Sequence, residues 1–268
     1  VNKTIDVALA NGYITSSTIL ANSNYMEEVI QIVRKYPSAS FGVHLNLTEG
    51  KSLTGNPIFA KYGIMDESCC FIMRQSFKKC PNAGQDLKDA IKQEWRAQID
   101  LLLRNGITLS HADGHHHCHS WYGLTDVFTE VMSYYHMLKA RQRYIYPEKT
   151  NIKIIMKNIV SRICNILNLR IYEQNNVISR HFASDTFTIA FNKQLKICGI
   201  KTPKYFCSYN DILRIMSASN LALKDGDVIE LMCHPGLERF AQEYDNIRLD
   251  KNKIRSNIKY QQISYNEL

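Results

Sequence analysis

Ser40-Phe41-Gly42-Val43-His44-Leu45-Asn46-Leu47 alternates strictly, with Phe41, Val43, Leu45 and Leu47 on one face and Gly42, His44 and Asn46 on the other. A period of two is the signature of a β-strand. Upstream, Tyr25 to Tyr36 sets Met26, Val29, Ile30 and Val33 on one helical side and closes on Pro37. Earlier still, Tyr13 to Ala21 has strand character, and Val1, Ile5, Ala8 and Leu9 form a helical face ended by Asn11-Gly12. Downstream, Asp86 to Arg104 carries the stripe Leu87, Ile91, Trp95, Ile99 and Leu103 and stops at Asn105-Gly106. Ile107 to Asp113 is expected as a strand. Trp121 to Tyr135, Ile152 to Leu167 and Asp211 to Ser217 are expected as helices, and Asp227 to Cys233 as a strand halted by Pro235-Gly236. Such alternation predicts parallel β/α units in a barrel or a doubly wound sheet. Only Lys51 to Pro81, with Pro57 and Pro81, lacks a period; it is expected as a long excursion over one mouth of the domain.

A chain of 268 residues fits one large α/β domain over residues 1–268 and buries a core without disulfide or metal staples. The 33 basic and 25 acidic residues give a net charge of +8, spread without a run of five like charges. The modest concentration at Lys251, Lys253, Arg255 and Lys259 fits a solvated basic surface, so no nucleic-acid partner is implied. The eight cysteines form no C-x-x-C pair, and Cys164, Cys198 and Cys233 sit in apolar runs as small core residues would. That usage points to a reduced, cytoplasmic setting. No signal peptide is visible, and no apolar stretch approaches the roughly 18 residues a membrane span needs.

Chemistry concentrates in His111-Ala112-Asp113-Gly114-His115-His116-His117-Cys118-His119. Five histidines in nine residues need hydrogen-bond partners or a metal if they are buried. Kept extended, positions 111, 113, 115, 117 and 119 would share one face; spacing alone does not say which of the five binds. His44 stands near the end of its strand on the polar face, and His234 ends another strand in Glu230-Leu231-Met232-Cys233-His234-Pro235-Gly236. Each alone is an ordinary core histidine. Together, three strands deliver histidine to the carboxyl ends where parallel β/α folds place their sites. Imidazole with carboxylate suits a zinc-like divalent hydrolase. No G-x-S-x-G, Walker or G-x-G-x-x-G sequence points to serine, nucleotide or dinucleotide chemistry.

These motifs, in this order, resemble the YdjC-like carbohydrate deacetylases, the family of chitooligosaccharide deacetylase. Phe41 to Gly50 is similar to its G-x-H-x-N-L-T-x-G strand and loop. His111 to His119 is similar to its H-x-D-S-H-H-H-x-H run, with Gly114 where serine is usual, and Glu230 to Gly236 to its E-L-M-x-H-P-G strand end. Gly12 to Ser17, Glu94 with Gln98, and Ser184-Asp185 are weaker echoes. The resemblance implies a distorted (β/α) barrel with parallel strands, one divalent cation (Mg2+ or Zn2+) and hydrolysis of the acetamide of N-acetylglucosamine units. It implies His44 and His115 as metal ligands and His234 as the acid to the leaving amine. An N-acetylated oligosaccharide is the implied partner, with no membrane and with room for a homodimer; the substrate-binding residues are unknown from sequence.

The family's remaining metal ligand and its base come from an A-D-D-F-G motif ending a first strand, and that motif is absent here. The sequence opens at Val1, where the family is already in the following helix. The resemblance thus implies a fragment or mis-started chain lacking that strand, or a decayed relative. Residues 1–268 alone are expected to be poorly soluble, to bind metal weakly and to be inactive on chitobiose-type sugars. Two rival functions stand beside the deacetylase: a metal hydrolase acting on another amide or a phosphate ester, and a non-catalytic metal- or glycan-binding relative. Phe59, Tyr62, Phe71 and Phe77 are candidates for stacking on sugar rings, or else packing residues.

Overall fold

In a computed structural model, residues 1–147, 184–248 and 259–268 are described. The expected helix Ile152 to Leu167, Cys164, and the basic residues Lys251, Lys253 and Arg255 lie outside them. The alternating stretch forms β2 (Ser40–Leu45), the middle strand of a three-stranded parallel sheet. β1 (Ser16–Ile19) pairs along one edge, from Ser16 opposite Ser40 to Ile19 opposite Val43. β3 (Ala112–Gly114) pairs along the other and sets His44 beside Asp113. Every β2 residue but His44 is buried, as for a parallel strand covered on both faces.

Beyond β3 the parallel order continues through single bridges, Ala112 to Ala140 and Lys139 to Lys201. A second parallel pair, β4 (Tyr205–Ser208) and β5 (Ile229–Met232), follows, tied to Ile145 by an antiparallel bridge at Phe206. The fold is thus α/β with parallel strands, in the expected order. A closed barrel is not formed among the described residues, where β1 and β5 each pair on one edge only.

Helices among the described residues include α1 (Asn2–Ala10), α2 (Met26–Lys35), α3 (Pro57–Lys61), α4 (Met73–Lys79), α5 (Gln85–Arg104), α6 (Thr125–Tyr134), α7 (Ser184–Ile197) and α8 (Tyr209–Ser217). In α5, Leu87, Ile91, Trp95 and Ile99 are fully buried, but the fifth member of the stripe is Leu102 and not Leu103, which is 44% exposed. At roughly 100° per residue, position 102 falls inside the arc from 91 to 99, and 103 turns out of it. The expected strand from Ile107 contracts to Ala112–Gly114, and the helix from Trp121 opens with a 3-10 turn, Tyr122–Leu124. The excursion after Lys51 contains α3 and α4, with isolated bridges from Lys51 to Cys70 and from Met65 to Phe71. Cys198 is exposed rather than a core residue, and seven described cysteines are free thiols.

Two polar residues of α5 fix the loop after β2. Gln98 accepts from the Asn46 backbone N–H (2.9 Å) and donates to its carbonyl (2.8 Å). Glu94, fully buried, accepts from Ser52, Leu53, Thr54 and Gln98. A buried carboxylate met by that many donors is satisfied rather than a liability. At the opposite end of the sheet the C-terminal segment crosses the strand starts. Tyr265 N donates to Ser16 Oγ (3.3 Å), Asn266 N to Ser40 Oγ (2.8 Å), and the Tyr265 ring stacks on His111 at 3.7 Å.

Candidate metal and catalytic site

The backbone leaves the extended state at Gly114, and His115–Ser120 winds into a 3-10 turn in which His116 (φ 50°) and His117 (φ 57°) are both left-handed. Non-glycine residues in that region carry strain of about 1–3 kcal/mol each, and such strain collects at functional sites. The turn overturns the shared face expected of an extended segment. His111 is buried under Tyr265, His117 meets the rings of Tyr144 and Phe206, and His119 Nε2 bonds the Arg141 carbonyl at 3.1 Å. His115 and His116 alone turn toward Glu49. Gly114 makes the turn fit: a Cβ there would lie 2.7 Å from the His119 backbone nitrogen.

His44 and His115 come together. His44 Nε2 lies 3.2 Å from His115 Nδ1, and the rings meet edge to face at 5.2 Å. His44 Nδ1 is 2.6 Å from Asp113 Oδ1. Burial raises the Asp113 carboxyl, but the Arg141 and His44 charges outweigh it and hold the group well below the usual carboxylate range. An ionised Asp113 accepts a hydrogen bond from His44 Nδ1–H, so Nε2 presents its lone pair toward His115. Thr18 Oγ1 adds a hydrogen bond to Asp113 Oδ2 (3.3 Å). Burial, then the His44 and His116 charges, lower the His115 pKa to about 4, leaving a neutral imidazole at pH 7. His115 Nε2 is buried and faces Glu49 Oε2 at 3.2 Å, a contact that opposes the lowering.

Glu49, His115 and His116 each bring one donor atom within 4.8 Å of the others, a grouping that can hold a metal ion. That cluster uses Glu49 and His116, whereas the close pair of ring nitrogens uses His44. Both share His115, whose two nitrogens face the two sides. We favour the His44 side, because the fully buried Asp113 carboxylate holds His44 Nδ1 at 2.6 Å and leaves Nε2 for an ion. On that side His44 Nε2 and His115 Nδ1 lie 3.2 Å apart, a pair of imidazole nitrogens of the kind a divalent cation of zinc type takes.

His234 follows β5. Its backbone N–H (2.9 Å) and Nδ1 (3.0 Å) both meet Glu243 Oε2, and its ring stacks on Phe240 at 4.2 Å. With Nδ1–H donated to a buried carboxylate, Nε2 is left for chemistry. Gly236 turns the chain away at φ 79°, and a Cβ there would strike Thr4 and Val1 at the start of α1. The His234 charge is among those that lower the His116 pKa, behind burial, Glu49 (which opposes), Arg239 and His44.

Residues 1–263 match the family described as YdjC-like protein. The chain belongs to the YdjC-like family. This YdjC-like chain is 31% identical over 120 residues to a carbohydrate deacetylase of Oceanobacillus iheyensis, covering 45% of this chain and 49% of that protein. It is 30% identical over 138 residues to a carbohydrate deacetylase of Vibrio cholerae, covering 51% of each. The chain spans about half the length of the curated relatives it matches. The crystal structure of an Enterococcus faecalis protein described as a candidate cellobiose-phosphate cleavage protein superposes with a TM-score of 0.65 at 19% identity, over 99% of this chain and 92% of that one. At that identity the likeness concerns the fold.

Sequence reading missed several residues of this YdjC-like site. Glu49, five positions beyond His44, was visible only as part of the quoted motif. Arg141 closes a buried chain of charges: it reaches Asp113 on one side and bonds Glu230 Oε1 at 2.6 Å on the other, where Tyr265 Oη donates to Glu230 Oε2 at 2.5 Å. Nothing marks Arg141 or Glu243 in sequence, since neither falls in a periodic or histidine-rich stretch.

Proposed function

We propose that this YdjC-like protein is a metal-dependent carbohydrate deacetylase acting on N-acetylated oligosaccharides, with residues 1–268 forming one domain of it. The observation that carries the proposal is the 3.2 Å approach of His44 Nε2 to His115 Nδ1, with Asp113 behind the first ring. His44 and His115 would hold one divalent ion, Zn2+ or Mg2+, with Glu49 beside them. Bound there, the ion supplies Lewis acidity toward an acetamide carbonyl and toward water. Asp113 keeps His44 in the binding tautomer, and Arg141 keeps Asp113 ionised. Glu243 orients His234, whose Nε2 would take up a proton released by the attacking water and pass it to the leaving amine, as an imidazole held by a carboxylate does in acyl-transfer sites. Glu49, 49% exposed, is the site carboxylate that solvent reaches. The free thiols fit a reducing compartment, and no described helix is long and apolar enough to cross a membrane.

The test is acetate release from tri-N-acetylchitotriose by the metal-loaded protein, run beside phosphate release from a sugar phosphate. Acetate alone supports the proposal. Phosphate alone would move the site to ester hydrolysis, and neither product from a metal-loaded protein would favour a non-catalytic binder.

A further inference from the structure

Of the four aromatic residues offered by the irregular 51–81 segment, the fold leaves one for a ligand. Phe59 (0% exposed) and Phe71 (6%) pack edge to face on each other at 5.5 Å. Tyr62 Oη donates to Asp86 Oδ1 at 2.7 Å. Phe77, in α4, is 44% exposed, although a side chain of that size normally gains by burial. Its ring lies 5.2 Å from Trp121 and 5.5 Å from His116, tilted against both. The His116 ring in turn lies 4.1 Å from that of His115. Two ring contacts therefore join Phe77 to a proposed metal ligand, with no intervening chain.

This patch is built rather than incidental. The turn that carries Trp121 meets the end of α4 so closely that a Cβ on Gly123 would collide with the Pro81 carbonyl. That contact fixes the backbone of 121–124 against the residues just after Phe77. On the other side, Thr48 Oγ1 lies 2.9 Å from His116 Nδ1 and pins the ring that links the aromatic pair to Glu49. Pyranose rings present apolar C–H faces with hydroxyls at their edges, so they are held by an exposed aromatic face rimmed with polar groups.

We propose that Phe77 and Trp121 form a stacking subsite for a pyranose ring next to the sugar being deacetylated. This inference rests on the deacetylase reading and deepens it: the substrate is an oligosaccharide, recognised on the Phe77 side of the metal site. A monosaccharide gains nothing from this platform.

The chain offers its own reporter. It has two tryptophans; Trp95 is fully buried in α5, so a ligand-dependent change in emission reports Trp121. The experiment titrates the full chain with tri-N-acetylchitotriose and follows tryptophan fluorescence. A saturable change is expected, with Kd rising about tenfold in Phe77→Ala, the scale of one lost stacking contact. Phe77→Tyr should restore the wild-type value. Since Phe77 is 44% exposed and outside the buried core, an unchanged thermal midpoint is expected and shows that the Ala variant is folded. Acetate is measured on the same samples. Acetate release with a Kd that Phe77→Ala leaves within twofold would overturn the subsite and spare the deacetylase. A Phe77-dependent Kd without acetate would support the subsite and count against the deacetylase. No emission change at saturating sugar would overturn the subsite.

Discussion

Replacing Arg141 by Met keeps an apolar stem of similar length and removes the charge that two buried carboxylates share. Asp113 is fully buried, Glu230 is 11% exposed and Arg141 12%. After the change Asp113 keeps its bonds to His44 and Thr18, and among the described residues Glu230 keeps Tyr265 alone. Breaking a buried pair from one side costs about 3–5 kcal/mol. At roughly 2–4 °C per kcal/mol for a domain of this size, the thermal midpoint should fall by roughly 6–20 °C. The pH dependence has a defined sign. In the wild type the Asp113 carboxyl is held below its unfolded value, so its contribution is present above about pH 4 and lost as pH falls through the folded value. Without Arg141 the largest charge opposing burial is gone, so the folded value rises. Acidification from pH 7 to 5 should therefore narrow the gap between variant and wild type. Scanning calorimetry at the two pH values is the assay. A loss under about 1 kcal/mol, or a gap that stays constant with pH, would refute the argument that Arg141 neutralises Asp113 and Glu230.

Glu243→Gln should leave bound metal unchanged and lower kcat by up to roughly 10²-fold, because the carboxylate that orients His234 is lost; equal metal loss would make the pair structural. His234→Ala should cost roughly 10²–10⁴-fold in turnover with metal retained, read by acetate release beside metal analysis. Gly114→Ala should destabilise by about 1–3 kcal/mol in denaturant unfolding, because a Cβ there meets the His119 backbone nitrogen at 2.7 Å.

What sequence could show depended on whether a feature repeats along the chain. β2 and α5 were plain because their apolar residues recur at fixed periods. The face of α5 slipped only at its end, where a stripe written through Leu103 had already rotated past the core at Leu102. His44 and His234 stood out as histidines at strand ends, His115 was singled out of its cluster by the family resemblance, and the fold sets His44 and His115 ring to ring. The divergence of the five clustered histidines was not visible, because it follows from two left-handed residues, His116 and His117, that no propensity predicts. Arg141, Glu230 and Tyr265 form one buried network from positions far apart in the chain, so only tertiary packing brings them together. Closure into a barrel was an inference from resemblance, and the described strands form two parallel sheets.

The central claim is that His44 and His115 hold a divalent cation between them. Isothermal titration of the protein with Zn2+ tests it directly, with His44→Ala and His115→Ala measured alongside. The account predicts one ion per chain in the wild type and a loss of affinity in each variant beyond the roughly 10–100-fold that disturbing a supporting partner costs. A wild type that binds no Zn2+, or variants that bind it as tightly as the wild type, would contradict it.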